Sequence, residues 1–247
     1  MNPDQKAVSE FFDRCSISKN LTMATANPSR EQILQRIRAG LRVPAPEPRE
    51  APPVNLEFFE PVTAPLERFQ QECKANLMEC YLVGDAAAAA RMLAQVLQSL
   101  PPGEIYAQDD PGLRRIIEAE AKAARDARAV RWSSQGAPAE SSQATITLAD
   151  ALIAQTGSVF VSASCGGRGA SVVAPCHIVM ARASQLVPDL ETALRNATAE
   201  QRLEKNSFAC IISGSSRTAD IEKILVQGAH GPIRLVVIVE GPTTDSR

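Results

Sequence analysis

The sequence predicts an α/β protein: a three-layer α/β/α sandwich around a mostly parallel sheet, preceded by a helix and a proline-rich arm. Three observations carry that expectation. From Leu66 onward, short apolar runs alternate with helix-length stretches, the pattern of βαβ units. Glycine, proline and aspartate stand at the junctions between them, as in Gly84–Asp85 and Pro101–Pro102–Gly103. The length of 247 residues suits one such domain with appendages, or at most two small domains. Hydrophobic residues reach 45% but aromatics only 4%, so aliphatic and alanine side chains must supply most of the packing.

The elements follow in order. Residues 1–28 form a polar extension with one short helix expected around Val8–Asp13, and Met23 is a second candidate initiator. Residues 29–65 hold a helix and a linker. Ser29 and Gln32 fit a capping box, Ile33, Leu34, Ile37 and Leu41 form one stripe, and Arg38 and Arg42 suit the carboxyl end. Seven prolines from Pro44 to Pro65 then block helix and ladder alike, giving an extended arm that Leu56, Phe58 and Phe59 would pin down. Residues 66–247 are the main domain. "LERFQQECKANL" reads as a helix, "CYLV" as a strand, and Asp85 caps the alanine-rich helix "AAAAARMLAQVLQSL". "EIYA" and "AVRW" are strands on either side of the helix that opens at Pro111. In the second half, "LADALIAQ" is expected to be a helix, "TGSVFVSA" a turn into a strand, and "CGGRGAS" a glycine-rich loop. "CHIVMA", "SFACIIS" and "RLVVIVE" are further strands, with a helix starting near Pro188.

Composition removes several function classes. With 26 basic and 28 acidic residues the net charge is −2, which argues against a nucleic-acid or anionic-membrane surface. No apolar run reaches the roughly 18–20 residues that span a bilayer, and the first residues lack a secretory pattern, so a cytoplasmic protein is expected. The six cysteines include no C-x-x-C pair and there are two histidines, His177 and His230. Clusters and structural zinc need closely spaced ligands, so no cofactor or metal is expected in this chain and the thiols read as buried.

The last third carries a longer text. "SGSSRTADIEKILVQGAHGP", from Ser213 to Pro232, resembles the signature stretch of the lactate-utilisation (LUD) domain family. "ADALIAQTGSV" from Ala149, "APCHIVM" from Ala174 and "LVPDLETAL" from Leu186 agree in order and spacing. Without a ferredoxin-like cysteine run, the chain resembles the family's C branch rather than its iron–sulfur-bearing B branch. The resemblance implies the fold of the sugar-phosphate isomerase and CoA-transferase superfamily. It also implies an accessory subunit of a bacterial system oxidising L-lactate to pyruvate, whose partners, lactate utilisation proteins A and B, hold the iron–sulfur clusters. Two positions depart from the pattern: Gln155 stands where many members have glutamate, which puts a carboxylate base there in doubt, and Ser215 where many have proline.

Three stretches could bind a small carboxylate or phosphate. In "IISGSSRTADIE" a strand ends at Ser213 and a helix is expected to start around Thr218. Gly214 would free the turn, Ser215, Ser216 and Thr218 would offer hydroxyls, and Arg217 a planar fork for an anion. The other reading has Ser216 or Thr218 capping that helix while Arg217 pairs with Asp220 or a neighbouring acid. In "QGAHGP", His230, followed by Gly231, is the candidate proton mover, or else a turn residue bonded to a carbonyl. Gly157 and Ser158 before one strand, and Arg168 within the glycine-rich loop after it, form the third, with a plain surface loop as its alternative. "GGRGAS" is not a dinucleotide fingerprint. His177 reads as a core histidine, and Cys165, with no histidine partner, as structural. Beside the accessory subunit stand two further readings: an independent enzyme acting on a phosphorylated or CoA-linked small acid, and a scaffold with no ligand.

Overall fold

A computed structural model describes residues 28–42, 61–123, 128–138, 141–220, 224–227 and 231–241. The helix expected at Val8–Asp13, Met23, the pinning residues Leu56, Phe58 and Phe59, and His230 lie outside them. The chain divides into two units, Met1–Phe58 and Phe59–Arg247. In the first, α1 (Pro28–Gly40) starts with an acid, Glu31, and ends with a base, Arg38, as the helix dipole favours. Its stripe of Ile33 and Ile37, continued by Leu41 just beyond the helix, is exposed.

The second unit opens with α2 (Pro65–Ala75), whose proline sits in the first turn, where a missing N–H costs nothing. β1 (Glu79–Val83) leads through Asp85, whose carboxylate accepts from the amide of Ala88 at 2.7 Å, into α3 (Ala86–Gln98). β2 (Ile105–Ala107), α4 (Pro111–Ala123) and β3 (Val130–Trp132) follow. β4 (Ala144–Leu148), β5 (Ala151–Ile153), β6 (Ser158–Ser162) and β7 (Cys176–Arg182) follow. Then come β8 (Leu186–Val187), α5 (Leu190–Ala199), α6 (Arg202–Lys205) and β9 (Ala209–Ile212). The described elements end with β10 (Arg217–Asp220), β11 (Ile224–Gln227) and β12 (Arg234–Glu240).

Six strands in the order β1-β12-β7-β4-β2-β3 make one sheet, parallel throughout. β12 is apolar on both faces, as a parallel sheet covered twice favours, while β4 and β7 carry the buried Thr145, Thr147 and His177 on one of theirs. One face of the sheet packs Ile146, Ile178 and Ile238 against Leu93 and Leu97 of α3 and Leu113 and Ile117 of α4. The other packs Val179, Val237 and Val239 against Phe69 and Cys73 of α2 and against Leu152, Val159 and Val161. Those last three belong to a second sheet, in the order β8-β5-β6-β9, and α5 covers its far side through Ala193 and Ala197. The expected α/β architecture and parallel sheet are present; a small mixed sheet lies between the main sheet and the outer helix α5.

Two expected helices are strands. "LADALIAQ" spans the end of β4, the strand β5 and a turn of 3₁₀ helix, Ala154–Thr156. Leu152, Ile153 and Ala154 are buried, and periodicity cannot tell a short strand buried on both faces from a helix segment. The helix expected at Thr218 is instead β10, paired antiparallel with β11, with Thr218 opposite Val226. The β-branched pair Ile224 and Val226 favours a ribbon over a helix.

The winding of the main sheet reverses between β2 and β4. From β2 the chain moves outward through α4 to β3, whereas β4, β7 and β12 step the other way. Ligands of open α/β sheets bind at the carboxyl ends of strands flanking such a reversal.

Candidate functional site

The residues expected to bind an anion fall into two places. The first is a hydroxyl cluster beneath the end of α2. Ser158 Oγ lies 2.6 Å from Ser213 Oγ, and Thr156 Oγ1 lies 2.7 Å from Ser158 Oγ. Ser216 N donates to Pro232 O at 2.8 Å, and a Cβ on Gly231 would stand 3.3 Å from that of Ser216. Gly157, Ser158, Gly214, Ser215, Ser216 and Gly231 therefore gather around one seam.

The glycines here serve packing. Gly157 has φ +59°, and a Cβ there would stand 2.7 Å from the backbone nitrogen of Cys73. Gly214 has φ +99°, and its Cβ would meet the carbonyl oxygen of Asn76 at 2.4 Å. Asn76 Nδ2 in turn donates to Thr156 O at 2.9 Å. The seam is thus the seat of α2, and Ser158 is buried with its hydroxyl already engaged. With β10 in place of a helix, the turn presents no helix N-terminus, and the Ser216 amide is taken by Pro232. The side chains of Arg217 and Thr218, like His230, lie outside what is described.

The second place is the glycine-rich loop after β6. Gly166 and Gly167 adopt φ +91° and +92°, which folds residues 163–175 into successive turns. The loop walls a cavity of about 390 Å³ together with Tyr106, Ser133 and the segment Gly136–Pro138. Tyr106 Oη donates to Gly166 O at 2.6 Å, and burial raises its pKa, so it stays a neutral donor. Arg168 lines the cavity, and among the described residues only its Nε is engaged, donating to Ser207 Oγ at 3.2 Å. Among the described residues no carboxylate pairs with it. Ser158 and Ser162 close opposite ends of β6, so roughly 13 Å of strand separates the two places. The structure does not bring Arg168 to the hydroxyl cluster.

Cys165 is no nucleophile. Its thiol points at Asp150 Oδ2 at 3.4 Å, and burial together with that carboxylate pushes its pKa up to about 12. Arg202 pairs with Asp150 from the other side. His177 is fully buried on β7, its Nε2 2.9 Å from Thr147 Oγ1, and burial lowers its pKa to about 4. It is a neutral core histidine, as its strand position suggested. Among the described residues, no group of three His, Cys, Asp or Glu side chains is placed to hold a metal ion. No described helix is long and apolar enough to cross a membrane.

Sequence reasoning missed Tyr106, Gln108, Ser133 and Ser164. Gln108 Oε1 accepts from Leu148 N at 2.8 Å, bridging β2 and β4 where the winding reverses. One signal was readable: "QDD" directly after the strand "EIYA" places a polar run at a strand's carboxyl end, ahead of a helix.

A parallel sheet with a glycine-rich loop walling a cavity beside it defines an α/β domain. Residues 66–239 match the model of the LUD domain, and the chain belongs to that family. It is 32% identical over 179 residues to "Lactate utilization protein C" of Macrococcus caseolyticus, covering 70% of this chain and 77% of that protein. A protein of the same name from Geobacillus sp. (strain WCH70) is 30% identical over 190 residues, with the same coverage. The fold is similar to the crystal structure of a DUF162 family protein from Deinococcus radiodurans, with a TM-score of 0.54 and 22% identity over 72% of this chain and 96% of that one.

Proposed function

We propose that this protein serves lactate utilisation as an accessory subunit that binds a small carboxylate at the Arg168 loop. On this reading electrons pass through iron–sulfur partners corresponding to lactate utilisation proteins A and B. Family membership and the names of the relatives support the pathway. The sequence supports the division of labour, since its six cysteines include no closely spaced cluster motif.

The observation that carries the binding role is an arginine fork with no acidic partner among the described residues, at a cavity of about 390 Å³. Two charged hydrogen bonds at roughly 1.5–3 kcal/mol each approach or pass the roughly 4 kcal/mol of a millimolar complex. L-lactate is therefore expected to bind near millimolar, weakly enough to need a closing partner. Calorimetric titration of L-lactate into the full chain and into Arg168→Ala checks the site. Co-purification with A and B homologues, and growth on L-lactate after deletion, check the pathway. Binding unchanged in Arg168→Ala would remove the site; normal growth of the deletion strain with no association would remove the subunit role.

A further inference from the structure

A second cavity, of about 330 Å³, opens on the opposite face of the main sheet, at the carboxyl ends of β4, β7 and β12. Its floor is apolar: Leu113 and Met180 are buried, and Leu148 and Ile116 are half-buried beside them. Two of its polar residues are already committed. Asp110 Oδ1 accepts from the amides of Gly112 and Leu113 at 2.7 and 3.0 Å, capping α4. Gln185 accepts from Arg182 N at 2.7 Å through Oε1 and donates to Ala149 O at 2.6 Å through Nε2.

Among the described residues, the side chains of Arg182 and Glu240 have no partner. They are register partners on β7 and β12 and share the face of Met180 and Ile238. Elsewhere arginines that meet acids on neighbouring elements form ion pairs, as Arg114 does with Asp109, Arg131 with Glu104, Arg202 with Asp150 and Arg234 with Glu79. Arg182 and Glu240 form none with each other or with any other described residue, although their strands are hydrogen-bonded neighbours. A fork and a carboxylate that no described residue pairs, side by side over an apolar floor, complement one kind of small molecule. The fork takes a carboxylate in two parallel bonds. The glutamate accepts from a donor on the next carbon, and the floor takes an apolar side chain.

We propose that this cavity binds a carboxylic acid with a hydroxyl or ammonium group on the adjacent carbon and a branched apolar side chain, larger than a three-carbon acid. Arg182 holds the carboxylate, Glu240 accepts from the donor, and Leu148 and Met180 carry the side chain. The inference is independent of the Arg168 reading, because the two cavities lie on opposite faces of the sheet.

The test is calorimetric titration of the full chain with 2-hydroxy-4-methylpentanoate, leucine and 4-methylpentanoate, the last lacking the donor. The hydroxy acid or leucine should bind at least about tenfold tighter than 4-methylpentanoate, and Arg182→Ala should weaken it by about tenfold or more, the scale of a charged hydrogen bond. Arg182 is exposed, so this variant should melt like the parent. Glu240→Gln should keep the hydroxy acid within about threefold, because the amide oxygen still accepts, and should lose leucine, whose ammonium needs the charge. Each titration is repeated in the Arg168→Ala background, which removes the carboxylate site at the glycine-rich loop, and the same ranking should hold there. Equal binding of 4-methylpentanoate, indifference to Arg182→Ala, or loss of binding in Arg168→Ala would each overturn the proposal.

Discussion

Gly214 stands in the family's signature text, where a glycine invites a role in gripping a ligand; its surroundings predict a role in folding instead. Adding one methyl group, Gly214→Ala, places a Cβ 2.4 Å from the Asn76 carbonyl oxygen and 3.2 Å from its Cβ. The obstacle is backbone at the end of α2, so it cannot swing aside as a flexible side chain would. The φ of +99° adds strain that an L side chain resists, about 1–2 kcal/mol by analogy with the left-handed helical region. Overpacking adds about 1–3 kcal/mol, for a total of about 2–5 kcal/mol. In a chain of this size each kcal/mol moves Tm by about 2–4 °C, so a loss of about 4–20 °C is expected. Scanning calorimetry of Gly214→Ala beside Gly84→Ala reads it, because a Cβ at Gly84 meets nothing within 4 Å. L-lactate affinity below the melting range should not change. Equal Tm values for the two variants, or lost binding with Tm intact, would refute the packing argument and return Gly214 to the ligand.

Two further outcomes follow from buried groups. Burial lowers the His177 pKa to about 4, against about 6.5 for a free histidine. As pH falls the unfolded chain takes the proton first, so this contribution is whole above about pH 6.5 and fades towards pH 4 by up to ~3 kcal/mol. Urea unfolding at pH 7 and 4.5 should show a flatter pH dependence in His177→Asn and His177→Leu than in the parent, and parallel dependences would sink the argument. Cys165, buried and pushed up to about 12 by desolvation and Asp150, should resist iodoacetamide in the native protein at pH 7.5 and label readily in urea. Native labelling as fast as that of the half-buried Cys210 would contradict it.

The parts of the fold that were legible are those where local chemistry and tertiary demand agree. "CYLV", "EIYA", "CHIVMA" and "RLVVIVE" are apolar runs bounded by turn residues, and each is a parallel strand. Asp85 caps α3 as its position promised. β4 escaped because Thr145 and Thr147 dilute its apolar pattern; they face a buried layer that also holds His177, so polarity there does not signal solvent. β5 escaped because three apolar residues cannot declare a period. The Arg168 loop could be suspected from its glycines, since positive φ is a local demand. The cavity beside it could not, because Tyr106, Ser133 and Ser164 meet only through strand order. The same holds for Arg182 and Glu240, which become neighbours only when β7 and β12 pair.

One residue sits where both cavities depend on the sheet reversal. Gln108 N donates to Ile146 O at 2.8 Å and its Oε1 accepts from Leu148 N at 2.8 Å, so backbone and side chain together clamp β2 to β4. On one face its Cβ packs beneath Gly166, where an added Cβ would stand 3.4 Å away, in the wall of the Arg168 cavity. On the other, Leu148 lines the floor below Arg182. Gln108→Ala leaves the partly buried Leu148 amide without its acceptor, a cost of about 1–3 kcal/mol, nearer the lower end where water reaches it. That is too little to unfold the domain but enough to loosen the crevice, so affinity at both cavities should fall together. Gln108→Glu keeps an acceptor at the same reach and should restore both. Loss at one cavity alone, or loss that Gln108→Glu does not repair, would mean that the two sites are built independently and that the clamp only joins strands.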